Sequence, residues 1–177
     1  RIPDLLRDLP LIDRAAARAT LEKYAIRIIT ISADNYPRIL KEIPAPPPVL
    51  YVRGNIRALS ATMLAVVGTR QPSSYGRQAT KLLVEPVVRS GIGIVSGLAI
   101  GIDGLAHQLA LTAKVPTVAV LGCGVDQFYP WQHRELAENM LASGGAVISE
   151  FPLGAKPERH HFPQRNRIIS GLSPAVL

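Results

Sequence analysis

The sequence predicts an α/β fold built on a mostly parallel β-sheet flanked by helices. Nearly continuous apolar runs, typical of strands buried on both faces, alternate along the chain with amphipathic stretches of helical length. Three of these runs end in glycine, which is common where a strand turns into the next helix. The chain has 177 residues, enough for one such domain and a small accessory piece but too few for two full-sized domains.

The order of elements follows from the apolar pattern. The runs predict strands over Ala25–Ile31, Val49–Val52, Met63–Val67, Ile92–Ser96, Thr117–Leu121 and Ala146–Ser149. The amphipathic stretches predict helices over Tyr75–Arg89, Ile102–Ala113, His133–Ala142 and Gln164–Gly171. We expect Val49–Val52 to be a short edge strand. Residues Ala175 to Leu177 look like the start of a strand that the chain does not complete, so we expect the sequence to be a fragment.

The beginning of the chain is predicted to be a small helical segment. Residues Arg1 to Tyr24 carry apolar side chains at irregular helical intervals and an alanine run, too little for a separate core. The loop after the first strand contains Pro44, Pro46, Pro47 and Pro48, which forbid regular structure. We therefore predict a partial N-terminal segment at 1–35, including the first strand, and a main domain at 36–177.

Composition limits the class of protein. Twenty lysines and arginines against thirteen acids give a net charge of +7, which favours a polyanionic partner. The single cysteine, Cys123, excludes a disulfide framework, and we expect it to be a small buried residue. No apolar run approaches the ~18 residues needed to cross a bilayer, so the sequence predicts a soluble, cytoplasmic protein without membrane insertion.

The glycines that follow three strands are expected to converge. In a parallel sheet, Gly68, Gly97 and Gly122 lie at the same carboxyl edge, together with Gly101 and Gly124 of the same turns. Because glycine lacks a Cβ, backbone N–H groups there can turn toward an anion and form a nest for phosphate oxygens. Glycine also serves turn geometry alone, but three such turns beside an arginine favour the phosphate site.

Catalytic and nucleotide-binding motifs are weak in comparison. The sequence contains neither G-x-G-x-x-G nor G-x-x-x-x-G-K-[ST], which disfavours NAD- and ATP-dependent enzymes. Asp103 and His107 are four residues apart and could share a helix face, but Asp103 equally fits the first turn of a helix, where the dipole favours an acid. No cysteine and histidine cluster has zinc-ligand spacing.

Basic and aromatic side chains gather near the same predicted edge. The basic residues are Arg70, Arg77 and Lys81 after the first glycine turn, and Lys156, Arg159, Arg165 and Arg167 near the end of the chain. The aromatic residues are Phe128, Tyr129, Trp131 and Phe162. A basic groove with aromatic platforms suits single-stranded nucleic acid, because charges hold phosphates while rings stack on exposed bases. A solvated basic face with aromatic residues packed in a loop is the competing interpretation.

Four segments in this order resemble the signatures of the DNA-processing protein A family, also called DprA or Smf. They read VVGTRQPSSYG at 66–76, SGLAIGID at 96–103, VAVLGCGVD at 118–126, and SEFP at 149–152 with FPQRNRIISGLS at 162–173. The resemblance implies an extended Rossmann-like domain, with the N-terminal helices similar to the end of a sterile-alpha-motif-like (SAM-like) domain. It implies a protein that binds and protects incoming single-stranded DNA and loads the RecA recombinase during natural transformation. It implies no catalytic residue, metal or cofactor, and a homodimer for the full-length protein.

The resemblance also implies which residues bind DNA. Arg70 resembles the phosphate-gripping arginine of the first signature, and the R-N-R element at 165–167 is expected at the rim of the pocket. The implied DNA-binding residues are Gly68, Arg70, Ser74, Gly76, Gly97, Gly101, Gly122, Gly124, Phe128, Arg165, Asn166 and Arg167. Trp131, Gln132 and Gln164 depart from the family pattern, in which basic residues are common at these positions.

One enzymatic alternative remains open at this point. Rossmann-like pockets also occur in hydrolases of nucleotides or nucleoside phosphates, and Asp103, His107 and Glu150 are predicted near one edge of the sheet. The P-G-G-x-G-T signature of those hydrolases does not occur in the sequence.

Overall fold

A computed structural model describes residues 13–177 and contains one mixed six-stranded sheet with helices on both faces. The strands are β1 (Ile26–Thr30), β2 (Val49–Gly54), β3 (Met63–Ala65), β4 (Gly93–Ser96), β5 (Thr117–Val120) and β6 (Ala146–Ser149). The helices are α1 (Arg14–Lys23), α2 (Arg38–Lys41), α3 (Ser74–Arg89), α4 (Ile102–Thr112), α5 (Arg134–Ala142) and α6 (His161–Gly171). Short 3₁₀ turns cover Ile56–Ser60 and Trp131–His133. The predicted α/β class is confirmed.

The strand order is β1-β2-β6-β5-β4-β3, and the four strands from β3 to β6 run parallel. Their carboxyl ends therefore share one edge of the sheet, as the glycine turns predicted. The last residues extend this parallel part, because Val176 forms an isolated parallel bridge with Ala65. This single bridge confirms the predicted start of a strand at 175–177.

The antiparallel part differs from the prediction in one respect. β2 pairs with β1 on one side and with β6 on the other, so Val49–Gly54 is an inner strand and β1 is the edge strand. Pairing on both sides explains why Leu50 and Val52 are fully buried. The proline-containing loop links two adjacent strands of this sheet. The predicted helical residues 1–12 lie outside the described part of the chain, and the division at residue 35 stays a prediction.

Successive side chains of each strand point to opposite faces of the sheet, so a hydrophobic core forms on each face. One core packs Val95, Val118 and Val120 against Ile168 and Ile169 of α6. The opposite face carries α5, through Leu136, Ala137 and Met140, and the helices α3 and α4, through Val84, Val88, Ala106 and Ala110. Cys123 lies in this second core at 1% exposure, as expected for a small buried residue.

Helix α6 begins three residues earlier than the sequence predicted. Pro163 lies in its first turn, where the missing N–H removes no intrahelical hydrogen bond, so the proline does not delay the helix. This earlier start adds His161, Phe162 and Pro163 to α6. Among the described residues, no helix has the length and apolar character that a membrane span requires.

Candidate nucleic-acid interface

A cleft of about 350 Å³ opens at the carboxyl edge of the parallel strands. The residues that line it are Arg70, Gly97, Ala99, Ile100, Tyr129, Pro130, Phe162 and Arg165. They come from the turns after β3, β4 and β5 and from the first half of α6. The cleft thus lies beyond the carboxyl ends of parallel strands, where ligands bind in open α/β sheets.

Arg70 provides the exposed charge of the cleft. Its guanidinium lies 5.4 Å from the centroid of the Phe162 ring and makes no hydrogen bond or ion pair with another residue of the 13–177 range. The Arg70 turn is held close to the start of α4, because Gly101 has φ +98° and a Cβ at that glycine would overlap the carbonyl oxygen of Thr69. A side chain at residue 101 would therefore push the arginine turn outward.

Arg165 lies beneath Arg70 and is 5% exposed, so its predicted place at the rim is wrong. Its Nη1 donates hydrogen bonds to the carbonyl oxygen of Gly97, at 2.8 Å, and to that of Val120. The guanidinium therefore connects the ends of β4 and β5 and forms part of the cleft floor. Arg165 lies in a helix that packs on the sheet, and this packing buries its side chain.

Glycine at position 97 makes room for this arginine. A Cβ at residue 97 would overlap the Arg165 guanidinium. It would lie 2.6 Å from Nη1 and still closer to Cζ and Nη2. At Gly68, in contrast, a Cβ would clash with the side chain of Ile102 at 2.6 Å. Both glycines therefore permit close packing, and only Gly97 of the two lines the cleft.

One buried acid partly balances the arginines. Asp103, in the first turn of α4 as predicted, is 4% exposed and accepts hydrogen bonds from the N–H groups of Gly97, at 3.1 Å, and Ala99, at 3.4 Å. Burial raises the pKa of this carboxyl above its usual value, and the positive charge of Arg165 opposes the rise. Burial lowers the pKa of Arg165, an effect that Asp103 opposes and Arg70 reinforces. With two guanidinium groups and one buried carboxylate, the cleft favours an anion.

The remaining predicted glycines do not line the cleft. Gly122 packs against Phe162, and Gly124 packs against the turn at 152–154, where a Cβ would lie 2.8 Å from the carbonyl oxygen of Pro152. Ser74 and Gly76 belong to the first turn of α3, whose N-cap, Ser73, accepts a hydrogen bond from the Gly76 N–H. Their participation in DNA binding stays a prediction.

The aromatic residues divide between two clefts. The Tyr129 and Phe162 rings line the arginine cleft, with centroids 5.7 Å apart. Phe128 and the 75% exposed Trp131 face a neighbouring depression, where the Phe128 ring lies 4.8 Å from the guanidinium of Arg53. Phe128 was predicted to bind DNA in the same pocket as Arg70, and the structure places it in the other one.

Arg167 and Asn166 are engaged within the protein. Both terminal nitrogens of Arg167 donate to Glu150, at 2.7 and 2.6 Å, and the Glu150 side chain is only 10% exposed. The Asn166 Oδ1 accepts a hydrogen bond from Nε of Arg165 at 3.1 Å. Arg167 is therefore an anchor for α6 in this structure, and a DNA contact by it would need another conformation of this ion pair.

The side chains required by the hydrolase alternative are each occupied by structural contacts. His107 is fully buried, its Nδ1 lies 2.7 Å from Oγ1 of Thr117, and burial lowers its pKa to about 3. Asp103 is bonded to backbone N–H groups, and Glu150 is paired with Arg167. No hydrogen bond joins any two of the three. The described residues thus contain no assembled acid–base pair from this set.

Sequence analysis missed the hydrophobic part of the cleft wall. Ala99 and Ile100 lie in the second glycine turn, and Ile100 is 42% exposed. Pro130 lines the opposite side beside Tyr129. Ala99 and Ile100 lie within the segment quoted at 96–103, and Pro130 follows the segment at 118–126 by four residues, so their position after a glycine turn was the available signal.

Comparisons with known proteins agree with this geometry. The model of the family described as "DNA recombination-mediator protein A" matches residues 27–177. Protein Smf of Synechocystis sp. is 48% identical over 155 residues, which cover 85% of this chain and 39% of that protein. DNA processing protein DprA of Bacillus subtilis is 42% identical over 160 residues, covering 90% of this chain and 54% of the relative. The chain thus spans about two fifths to just over half of these relatives.

Two solved structures are similar over most of the chain. DNA processing protein A of Streptococcus pneumoniae superposes with a TM-score of 0.84 and 36% identity, covering 97% of this chain and 59% of that one. DNA processing protein A of Helicobacter pylori gives a TM-score of 0.75 and 29% identity, covering 86% of this chain and 68% of that one. The latter structure is described as revealing a single-stranded DNA binding mode.

Proposed function

Because the chain belongs to the DNA recombination-mediator protein A family, we propose that the Arg70 cleft binds the phosphate backbone of single-stranded DNA. The single observation that carries the proposal is the exposed Arg70 guanidinium above a floor made by Arg165, with one buried acid in partial compensation. An arginine that has no partner among the described residues can place two N–H groups on one phosphate.

Base stacking on Tyr129 and Phe162 accounts for a preference for single strands. Tyr129 is 41% exposed and tilted against Phe162, so a base can reach its ring from the solvent side. Duplex DNA keeps its bases stacked on one another and offers only phosphates to the arginines. The nucleic-acid-binding structure of the H. pylori relative supports this assignment by likeness of fold.

The wider role is part of the same proposal. We assign the protein to protection of incoming single strands and to their transfer to the RecA recombinase during natural transformation, with the full-length protein acting as a homodimer. The family description as a recombination mediator supports this role. Binding without turnover fits the structural engagement of Asp103, His107 and Glu150.

The test of the cleft compares two exposed arginines. Arg70→Ala should weaken binding of a fluorescent single-stranded oligonucleotide about 10- to 150-fold, the loss of one charge-assisted hydrogen-bonding interaction of ~1.5–3 kcal/mol. The plot of log affinity against log salt should become shallower by about 0.7 for each phosphate that the variant no longer neutralises. Arg70→Lys should restore this slope more fully than the affinity, since it keeps the charge and loses the paired donors.

Arg89→Ala is the matched control. Arg89 is also an exposed arginine, but it lies at the opposite end of α3 and pairs with Glu85. The control removes the same charge far from the cleft and should change affinity less than about threefold at physiological salt, where screening acts over ~8 Å. Equal losses in the Arg70 and Arg89 variants would show that only net charge matters and would refute the cleft.

A second experiment locates the stacking surface. Tyr129→Ala should reduce affinity for single strands by ~1–3 kcal/mol and leave the weak binding of duplex DNA unchanged. Trp131→Ala tests the neighbouring depression in the same assay. A loss for Trp131→Ala alone would move the stacking surface out of the arginine cleft.

A further inference from the structure

The loop before α6 and the first residue of that helix bring together three side chains of metal-ligating type that the function above does not use. Glu158, His160 and His161 each place a ligand atom within 4.8 Å of the ligand atoms of the other two. Within residues 13–177 this is the one such group of histidine, cysteine, aspartate or glutamate. The sequence pattern does not predict a metal site here, because adjacent histidines do not match the usual spacing of zinc ligands.

One ligand pair already has a separation that suits a tetrahedral ion. Nδ1 of His160 lies 3.5 Å from Oε2 of Glu158. Two ligand atoms bound at ~2.0–2.1 Å to one tetrahedral zinc ion are about 3.4 Å apart, so this pair is already close to the required separation. His160 and Glu158 are 69% and 58% exposed, and their side chains are free to close the remaining gap to His161 without displacing packed atoms.

His161 is positioned in the way that metal-binding histidines usually are. Its Nδ1 lies 3.1 Å from the carbonyl oxygen of Gly122, and because a carbonyl only accepts, the proton is on Nδ1. The lone pair is then on Nε2. The ring is also stacked on Phe151, with centroids 3.8 Å apart. A histidine that donates one N–H to a backbone carbonyl and offers the other nitrogen is the common arrangement behind a metal ligand.

We propose that Glu158, His160 and His161 bind a Zn²⁺ ion, through Nε2 of His161, with a fourth coordination position left to water. Two imidazoles and one carboxylate are a donor set that zinc accepts, and the negative charge of Glu158 offsets the positive end of the α6 dipole. The ion would fasten the loop at 158–160 to the start of α6, next to Phe162 of the cleft.

Titration of the untagged full chain with Zn²⁺, followed by calorimetry, tests the site. We expect saturable binding of one ion per chain, weakened at least tenfold in both His160→Ala and Glu158→Gln. Cobalt(II) as a spectroscopic probe should give visible absorption bands of a four-coordinate site that disappear in the same two variants.

Two matched variants control for other histidines and acids. His133→Asn and Glu135→Gln alter a histidine and an exposed carboxylate outside the group and should keep wild-type affinity for Zn²⁺. The substituted residues 158 and 160 are exposed, so both variants should fold, which circular dichroism checks. Absence of saturable binding, or wild-type affinity in both cluster variants, overturns the proposal whatever the DNA assays show.

Discussion

The arginine turn and a set of buried polar side chains use their polar groups in opposite ways. The arginine turn, residues 67–73, is largely exposed and leaves the Arg70 charge available to solvent. Asp103, His107 and Arg165, which we call the buried polar layer, are at most 5% exposed and bonded to backbone or to neighbouring hydroxyl groups. The exposed region can receive a ligand, while the buried polar layer supports the strand ends that position it.

To act on a ligand, a charged side chain must lie near the ligand and must also have donors that other residues do not occupy. Arg70 and Arg165 lie 5.4 and 5.9 Å from the same Phe162 ring. Arg165 already donates from Nη1 to two carbonyl oxygens and from Nε to Asn166, whereas Arg70 has no such interaction among the described residues. Substitutions in the buried polar layer should therefore affect stability, and substitutions in the arginine turn should affect binding.

The largest effect is expected for Arg165→Ala. The change leaves two carbonyl oxygens without a donor and removes the positive charge that offsets buried Asp103, at a cost of about 3–5 kcal/mol in the free energy of unfolding. Urea denaturation at pH 7 measures the loss. Should this variant not fold, Arg165→Lys, which keeps the charge and loses the paired donors, should show an intermediate loss. Wild-type stability in both variants would remove Arg165 from the buried polar layer.

The next effect concerns pH and His107. Its pKa of about 3 in the folded protein lies below the ordinary value near 6.5, so the unfolded state binds the proton more readily. This histidine therefore contributes stability that is present above about pH 6.5 and lost as the pH falls toward 3. The free energy of unfolding should decline by up to about 1.4 kcal/mol per pH unit from this one group.

His107→Asn isolates this contribution. The amide can still donate to the Thr117 hydroxyl, but it does not titrate. Between pH 6 and 4 its unfolding free energy should fall less steeply than that of the wild type, after the difference at pH 7 is subtracted. Identical slopes for the two proteins would mean that His107 does not lie in a dry environment.

Gly97→Ala should produce a smaller loss of about 1–3 kcal/mol, because the added methyl group overlaps the Arg165 guanidinium. Gly76→Ala is the matched control, since a Cβ there meets its nearest atoms at an ordinary 3.6 Å and alanine favours the helix. Thermal denaturation should show a lower midpoint for the first variant and an equal or higher one for the second. A reversed order would contradict the packing of Arg165 under residue 97.

The smallest effect on stability is expected at Arg70. Arg70→Ala removes an exposed side chain without hydrogen bonds to the described residues and should change the unfolding free energy by no more than about 0.5 kcal/mol. Denaturation of the same protein samples used for DNA binding provides the measurement. A large loss of stability would place Arg70 with the buried polar layer and would make its binding defect uninterpretable.

The sequence predicted the positions of the strands and of the cleft better than it predicted which side chains are buried. Apolar runs buried on both faces located the four parallel strands, and the glycines after them located the cleft edge. Strand β2 was misplaced at the sheet edge because its pairing with β6 involves residues nearly one hundred positions away. Such a partner leaves no mark in the local pattern.

The same limit applies to the arginines and aromatic rings. Arg165 and Arg167 have the same charge in sequence, yet one is buried under Gly97 and the other is paired with Glu150. Phe128 and Tyr129 are neighbours in the chain and point into different clefts. Burial and orientation depend on tertiary packing, which adjacent residues do not share.

The two hydrogen bonds of Arg165 also set an order of events in folding. The guanidinium reaches back to Gly97 and Val120, across 68 and 45 residues of chain. Closing loops of this length is an entropic cost that must be met before the interaction stabilises anything. During synthesis, strands β4 and β5 leave the ribosome before helix α6 exists. The floor of the cleft is thus completed only once α6 has been made, and a nascent chain lacking α6 has the arginine turn but not the site.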